Sequence, residues 1–158
     1  MARPDSNYIA SKVVNATPLQ LTLITYEGIF KALDEAREAY ENKDYVIFDT
    51  ELARAELLLD ELFTSLDFDV DLSKDIGAIY FFCKNQLSIA AVTRKESMLE
   101  DVKKILTPLY EGFNEISSTQ EAPAKANKKI TGIVAGMTYG KGNLTETVLT
   151  DPNSGFKV

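Results

Sequence analysis

The stretch NATPLQLTLITYEGIFKAL, residues 15 to 33, decides the fold of this chain because it contains a fully specified helix start. Thr17 is a suitable N-cap, and Pro18 stands at the first helical position, where its missing N–H costs nothing. Gln20 completes a capping box with Thr17. Apolar residues then recur at helical spacing on two neighbouring faces. We therefore predict a long helix that begins at Pro18 and packs against more than one partner.

The periodicity of the rest of the chain predicts three further helices. The first helix is expected over residues 18–41, the second over 45–66 and the third over 72–92, with Ser73 or Asp71 as the cap of the third. Short connections between these segments are typical of an antiparallel four-helix bundle, so the predicted fold class is all-α.

The fourth helix carries two signals of its own. Thr93 and Glu96 repeat the capping-box pattern and predict that the helix opens there. Pro108 lies inside the apolar pattern that follows, and an interior proline removes one backbone hydrogen bond and clashes with the preceding turn. We expect a kink near Leu106 or a new helix start there.

The two ends of the chain differ from the bundle in composition. Residues 1–16 form an N-terminal arm, and the chain after Ser117 turns into a polar linker and a Gly-rich C-terminal tail. We predict a bundle domain at residues 1–117 and a linker with a flexible extension at residues 118–158.

Two hypotheses remain for that tail. Its glycine content favours a disordered extension. The alternative is a short helix that folds back onto the bundle and competes with a bound partner, because four apolar residues follow a two-turn amphipathic spacing. These are Ile130, Ile133, Val134 and Met137.

Composition excludes several classes of function. A net charge of −7 opposes binding to nucleic acid and to anionic membranes, both of which require a basic surface. No apolar run approaches the roughly 20 residues of a membrane span, and the polar start argues against a signal peptide. Cys83 lies in an apolar run and is expected to be a reduced thiol in the core. We expect a cytoplasmic protein that does not insert into membranes.

The absence of histidine argues against catalysis and metal binding. A di-iron bundle requires Glu-x-x-His on two helices, and a serine or cysteine nucleophile usually requires a histidine base. The tail sequence AGMTYGKGN also fails as a phosphate loop, because Gly142 stands where a Ser or Thr is needed. The sequence therefore predicts no enzyme, no cofactor and no metal.

Consecutive aromatic residues in the third helix point to a binding surface. Tyr80, Phe81 and Phe82 span about 200° of the helix, whereas a helix on one side of a bundle buries a stripe of roughly 100° to 140°. At least one ring should point away from the core, and the same holds for the leucines at 57–59. Either the arm or tail covers this surplus, or it forms an apolar groove for a partner helix.

The sequence also resembles a known family. Tyr8 and the residues that follow match the opening motif of the flagellar secretion chaperones (FliS), although Asn15 and Thr25 depart from the family's usual Thr and Leu. The other matching positions of that motif are Val13, Ala16, Pro18, Leu21, Tyr26 and Gly28. The resemblance continues through Ser65-Leu66-Asp67 and Ile79-Tyr80-Phe81, includes Phe113 in place of a common Trp, and covers about residues 5–117.

The resemblance implies a partner and a role. Proteins of this family are four-helix bundles that bind the C-terminal segment of flagellin in the cytoplasm, prevent its early polymerisation and help deliver it to the flagellar type III export gate. The same fold also permits a general helical adaptor with an unrelated partner, because a fold alone does not fix a function. Uncovered apolar stripes allow a monomer or a weak dimer when the chain is free.

The aromatic surplus and the resemblance together define an expected set of partner contacts. It includes residues of the arm, of both predicted faces of the first helix, and of the second and third helices. The set is Tyr8, Ile9, Val13, Leu21, Ile24, Tyr26, Leu58, Tyr80, Phe81 and Phe82.

Overall fold

The structure is a computed structural model that describes residue 13, residues 15–119 and residues 130–136. It contains four long helices in this part of the chain: α1 (Pro18–Glu41), α2 (Tyr45–Thr64), α3 (Asp71–Thr93) and α4 (Ser97–Thr119). Helices that follow one another in the chain pack together, and α4 packs back onto α1. The prediction of an all-α four-helix bundle is confirmed.

Helix α1 begins as the sequence predicts. The Gln20 N–H donates to Thr17 Oγ1 at 3.2 Å, and the Thr17 N–H donates to Gln20 Oε1 at 2.9 Å, which completes the capping box. Pro18 occupies the first helical position. Such a cap contributes about 1 kcal/mol and fixes where the helix starts. Asp44 plays the same part for α2, because its carboxylate accepts the Ile47 N–H at 3.2 Å.

Two predicted caps are wrong. Val70, which has no polar side chain, stands at the N-cap of α3, so neither Ser73 nor Asp71 fills that position. Thr93 is the last residue of α3, and its hydroxyl donates to the carbonyl of Ile89 at 2.8 Å instead of capping α4. The chain reverses direction through Arg94, whose φ of 57° is left-handed.

Helix boundaries also differ in two places. Helix α2 ends at Thr64, two residues before the predicted Leu66. Helix α4 continues through Pro108, so the new start considered for that position does not occur. The Thr107 hydroxyl donates to the Lys103 carbonyl at 2.6 Å in the turn before the proline.

The core is built from one buried stripe on each helix. Tyr26 of α1 and Tyr80 of α3 meet at its centre, where their hydroxyl oxygens lie 2.6 Å apart. Cys83 is a buried free thiol, as predicted. The other large, fully buried side chains are Ile29, Phe48, Leu52, Leu59, Ile79, Leu87, Val102, Leu106 and Leu109.

A helical segment of the tail packs on this bundle. Residues 130–136 are helical, and Ile130 and Val134 are each only 3% exposed. For these residues the structure agrees with the amphipathic hypothesis and not with the disorder that the glycine content favours. Met137, the fourth residue of the pattern, lies outside the described residues, as do Tyr8 and Ile9 of the arm.

Candidate protein-binding surfaces

Exposed apolar side chains gather on the side of the bundle formed by α2 and α3. Leu57 is 66% exposed and Phe81 is 49% exposed. Val46 lies three helical turns before Leu57, and Val92 lies three turns after Phe81, so each pair shares one face of its helix. We call these four side chains the outer face.

A row of polar contacts joins α2 to α3 in the outer-face region. Asp60 binds the Lys84 ammonium with both carboxylate oxygens at 2.9 Å, and this hydrogen bond raises the pKa of Lys84. The Ser88 hydroxyl donates to Glu56 Oε1 at 2.8 Å. These contacts join the two helices and leave the apolar side chains of the outer face free for another partner.

The Arg94 guanidinium closes the same row at its other end. It binds the carboxylate of Asp49 through both terminal nitrogens, one of them at 3.1 Å, and it stacks over the rings of Tyr45 and Phe48. The hydrogen bond with Asp49 raises the pKa of Arg94. A bidentate contact of this kind, made through two nitrogens, fixes the relative orientation of its two partners better than an ion pair with a single contact.

A cavity of about 250 Å³ opens beside Phe81. Its walls are mostly apolar, and the Asp60–Lys84 pair lies at its edge. Phe81 is the outward ring of the three consecutive aromatics, as the sequence predicts for one of them. The remaining lining residues are Leu59, Phe63 and Tyr80.

A second cavity, of about 290 Å³, lies where the start of α1, the end of α2, the start of α3 and the end of α4 meet. We call it the end groove. Leu66 lines it, and Phe63, which is less than one turn earlier, lines the cavity beside Phe81. The two cavities are therefore neighbours around the end of α2. The other apolar residues of the end groove are Leu19, Val70, Leu72, Ile76, Phe113, Ile116 and Ile130.

Two of the predicted contact residues lie in the core. Tyr26 is fully buried and Tyr80 is 2% exposed, so neither side chain offers appreciable surface to a partner while the bundle is closed, although Tyr80 borders the cavity beside Phe81. The Tyr26 ring lies 6.0 Å from the ring of Phe113, which lines the end groove. Both tyrosines therefore leave the contact set, and Tyr26 instead supports a wall of the end groove.

Three other predicted contacts lie along the junction of α1 and α2. A Cβ atom on Gly28 would lie 3.1 Å from Leu58 Cδ1, which places Leu58 tightly against α1. Leu21 and Ile24 share a helical face with Gly28, and Leu21 is exposed. This junction is separate from the outer face, so the structure does not bring all the predicted contacts into one patch.

The last two predicted contacts differ in exposure. Val13 is exposed just before α1, where its carbonyl accepts the Ala16 N–H at 3.2 Å. Phe82 is half-buried against the core, in contrast to the exposed Phe81.

Sequence reasoning missed the end groove and the exposed valines of the outer face. The groove residues come from the start of α1, the connection after α2, the start of α3, the end of α4 and the helical segment at residues 130–136, and no single sequence period unites them. Val46 and Val92 lie at opposite ends of their helices, and a pairing of α2 with α3 is needed to place them on one side.

Two further properties limit the chemistry of these surfaces. No helix in the described residues is long and apolar enough to cross a membrane. The same part of the chain contains no group of three or more potential metal-ligating side chains. What the described surfaces offer is apolar contact area next to fixed ion pairs, which suits the binding of an amphipathic segment.

Comparison with known proteins identifies relatives of this chain. The family model described as "Flagellar protein FliS" matches residues 1–120. The "Flagellar secretion chaperone FliS" of Bacillus subtilis (strain 168) is 30% identical over 112 residues, which are 71% of this chain and 84% of that protein. The family match contains all four helices of the bundle and leaves residues 130–136 outside it.

Proposed function

The chain belongs to the FliS family of flagellar proteins, and on that premise we propose that it is a cytoplasmic chaperone for the C-terminal segment of flagellin. It keeps this segment from polymerising early and helps deliver it to the flagellar export apparatus. Membership in the family favours this role over a general helical adaptor. The proposed role needs an apolar binding surface and no catalysis.

The outer face is the observation that supports the proposal best. Leu57 is 66% and Phe81 is 49% exposed, and together with Val46 and Val92 they form a patch of the kind that marks a protein-binding surface. An amphipathic client helix can bury these side chains, while the polar row between α2 and α3 keeps the bundle closed. A client can therefore bind the outer face while the chaperone remains folded.

We propose a set of client contacts that leaves out the buried Tyr26 and Tyr80. Phe81 and Leu57 contact the client directly, with Val46 and Val92 at the far end of the outer face. Leu21, Ile24 and Leu58 form a second contact strip at the α1–α2 junction, and Val13, Tyr8 and Ile9 complete the proposed set. Phe82 supports Phe81 from its half-buried position.

The proposal includes the domain organisation. The chaperone domain comprises residues 1–117, with the linker and extension at 118–158. Helix α4 continues to Thr119, so the boundary falls inside its last turn. For the free chain we propose a monomer or a weak dimer, because exposed apolar side chains also permit self-association.

Calorimetry with a peptide tests this function. The peptide is the C-terminal segment of the flagellin from the same organism, and its matched control is the same composition in scrambled order. We expect saturable binding of the native peptide and protection of that peptide from proteolysis. Absence of heat together with absence of protection would exclude the flagellin-chaperone role.

A further inference from the structure

Residues 130–136, which we call the latch, pack against α4 at Gly112, and Ile130 forms part of the wall of the end groove. Ile130 lines the groove and is almost fully buried, as is Val134. Ile133 is partly buried against the same core. These three residues follow the i, i+3, i+4 spacing with which an amphipathic helix presents its apolar face.

A glycine of α4 makes room for the latch. A Cβ atom on Gly112 would lie 2.7 Å from Ile133 Cδ1 and 2.8 Å from Ile130 Cδ1, closer than carbon atoms can approach without a shift. Glycine in a helix interior lowers helix propensity, so its presence in α4 needs a reason. Close approach of the two isoleucines supplies that reason. Gly112 therefore marks a docking site for the face of a helix.

The latch itself is built to bind weakly. A Cβ atom on Gly132 or Gly136 would meet nothing within 4 Å, so neither glycine is required for packing. Both glycines lower the helix propensity of a segment that is already too short to be stable alone. Burial of Ile130 and Val134 on the bundle therefore offsets the unfavourable free energy of forming this helix. Because the two terms nearly balance, a competing segment can displace the latch easily.

The latch also leaves the groove incompletely filled. A space of about 290 Å³ remains among the apolar side chains beside Ile130. A longer apolar helix could contact both this space and the Gly112 site. The groove and the cavity beside Phe81 share no lining residue, but Phe63 of one and Leu66 of the other are only three residues apart at the end of α2.

From these contacts we propose that the end groove is a second client-binding site and that the latch is its built-in competitor. A client segment that binds the outer face continues around the end of α2 into the end groove and displaces residues 130–136. This inference rests on the proposed function, because the competing ligand is the flagellin segment. The latch keeps the groove covered between clients and lowers the apparent affinity for them.

Paired variants of the full chain test the competition in both directions. Ile130→Ser with Val134→Ser removes the apolar anchors and should raise the affinity for the flagellin peptide about tenfold, because a larger fraction of the chain has an open groove. Gly132→Ala with Gly136→Ala strengthens the latch helix and should lower that affinity by about fivefold for each glycine. Ala135→Ser, at an exposed position of the latch, is the matched control and should change little.

Amide hydrogen exchange supplies an independent measurement. Addition of the peptide should speed exchange in residues 130–136 while it slows exchange near Phe113 and Ile116. Gly112→Ala should also speed exchange in the latch without any peptide, because its methyl group intrudes on both isoleucines.

The outcomes separate the latch from the chaperone function. If the peptide binds the anchor variant and the wild type equally well, or if the latch stays protected with peptide bound, the competition is wrong and the chaperone role stands. If the peptide binds neither the wild type nor any variant, both proposals fail.

Discussion

At the scale of single residues, the buried pair of Tyr26 and Tyr80 links the core to the sequence motif of the family. Their hydroxyls share one hydrogen bond of 2.6 Å between α1 and α3. Neither hydroxyl can exchange this partner for solvent while the bundle is closed, because both side chains are buried. The pair therefore fixes how two opposite helices face each other.

Removal of both hydroxyls should cost less than the sum of the two single removals. We expect Tyr26→Phe or Tyr80→Phe alone to lower the free energy of unfolding by about 1–3 kcal/mol, because the remaining hydroxyl stays buried without this partner. The double variant should lie closer to the wild type than the sum of the single changes. Urea unfolding of the four proteins measures this coupling, and strictly additive losses would argue against it.

Phe81 provides the residue-level test of the outer face. Phe81→Asp should weaken binding of the flagellin peptide by at least tenfold, since it places a charge in an apolar contact, while the free energy of unfolding changes by less than about 1 kcal/mol. Ile89→Asp is the matched control, because Ile89 is on the same helix and is 47% exposed, close to the 49% of Phe81. A collapse in stability without a specific loss of binding would show that Phe81 belongs to the core.

At the scale of helices, side-chain caps fix where α1 and α2 start. Thr17→Ala removes the acceptor for the Gln20 N–H and should lower the free energy of unfolding by about 1 kcal/mol. Chemical unfolding measures the loss, and Thr17→Ser is the control that keeps an acceptor oxygen. An unchanged midpoint in the alanine variant would mean that water replaces the cap without cost.

The same caps explain how much of the fold the sequence predicts. The start of α1 at Pro18 is predicted correctly because the capping box of Thr17 and Gln20 is local and residue types reveal it. The start of α2 at Tyr45 is predicted from the apolar pattern, and the structure adds the Asp44 cap. The start of α4 is not predicted correctly, because the Thr93 hydroxyl bonds back to Ile89 and the chain turns at a left-handed Arg94. Such a turn depends on the tertiary contacts of Arg94 with Asp49, Tyr45 and Phe48.

The binding surface is harder to predict from the sequence than the helix starts, because it depends on how the helices pack together. Helical periodicity shows that one of three consecutive aromatics points outward, and the structure identifies Phe81. Periodicity cannot tell an aromatic that fills the centre from one that lines a surface, which is why Tyr26 and Tyr80 entered the predicted contact set. The end groove brings together side chains from four helix ends, and only the packing of the bundle places them side by side.

At the scale of the whole molecule, stability should fall at alkaline pH. Burial raises the pKa of Cys83 above its ordinary value of 9.0, and burial is also the main cause that raises the pKa of Tyr26 and Tyr80 above 10.0. The folded state therefore holds these protons at a pH where the unfolded state releases them. The three protonated groups make their full contribution to the free energy of unfolding below about pH 9. This contribution is lost as the pH rises through 9 and 10 towards the pKa values of the groups in the folded state.

Unfolding free energies measured from pH 7 to 11 test this dependence. Each of the three groups should add a downward slope of up to about 1.4 kcal/mol per pH unit above its ordinary pKa. The double variant Tyr26→Phe with Tyr80→Phe should keep the part of the slope that begins near pH 9 and should lose much of the further slope above pH 10. An unchanged slope above pH 10 in this variant would show that other groups cause the alkaline loss.

The order of helices around the bundle has a kinetic consequence. Each helix packs on the next one in the chain, and the main long-distance contact among the described helices is that of α4 on α1. Such a topology has a low contact order, which is typical of chains that refold in microseconds to milliseconds. Stopped-flow refolding should give a single fast phase. Short-range assembly of this kind would make the binding surface complete soon after synthesis, before the chain meets its first client.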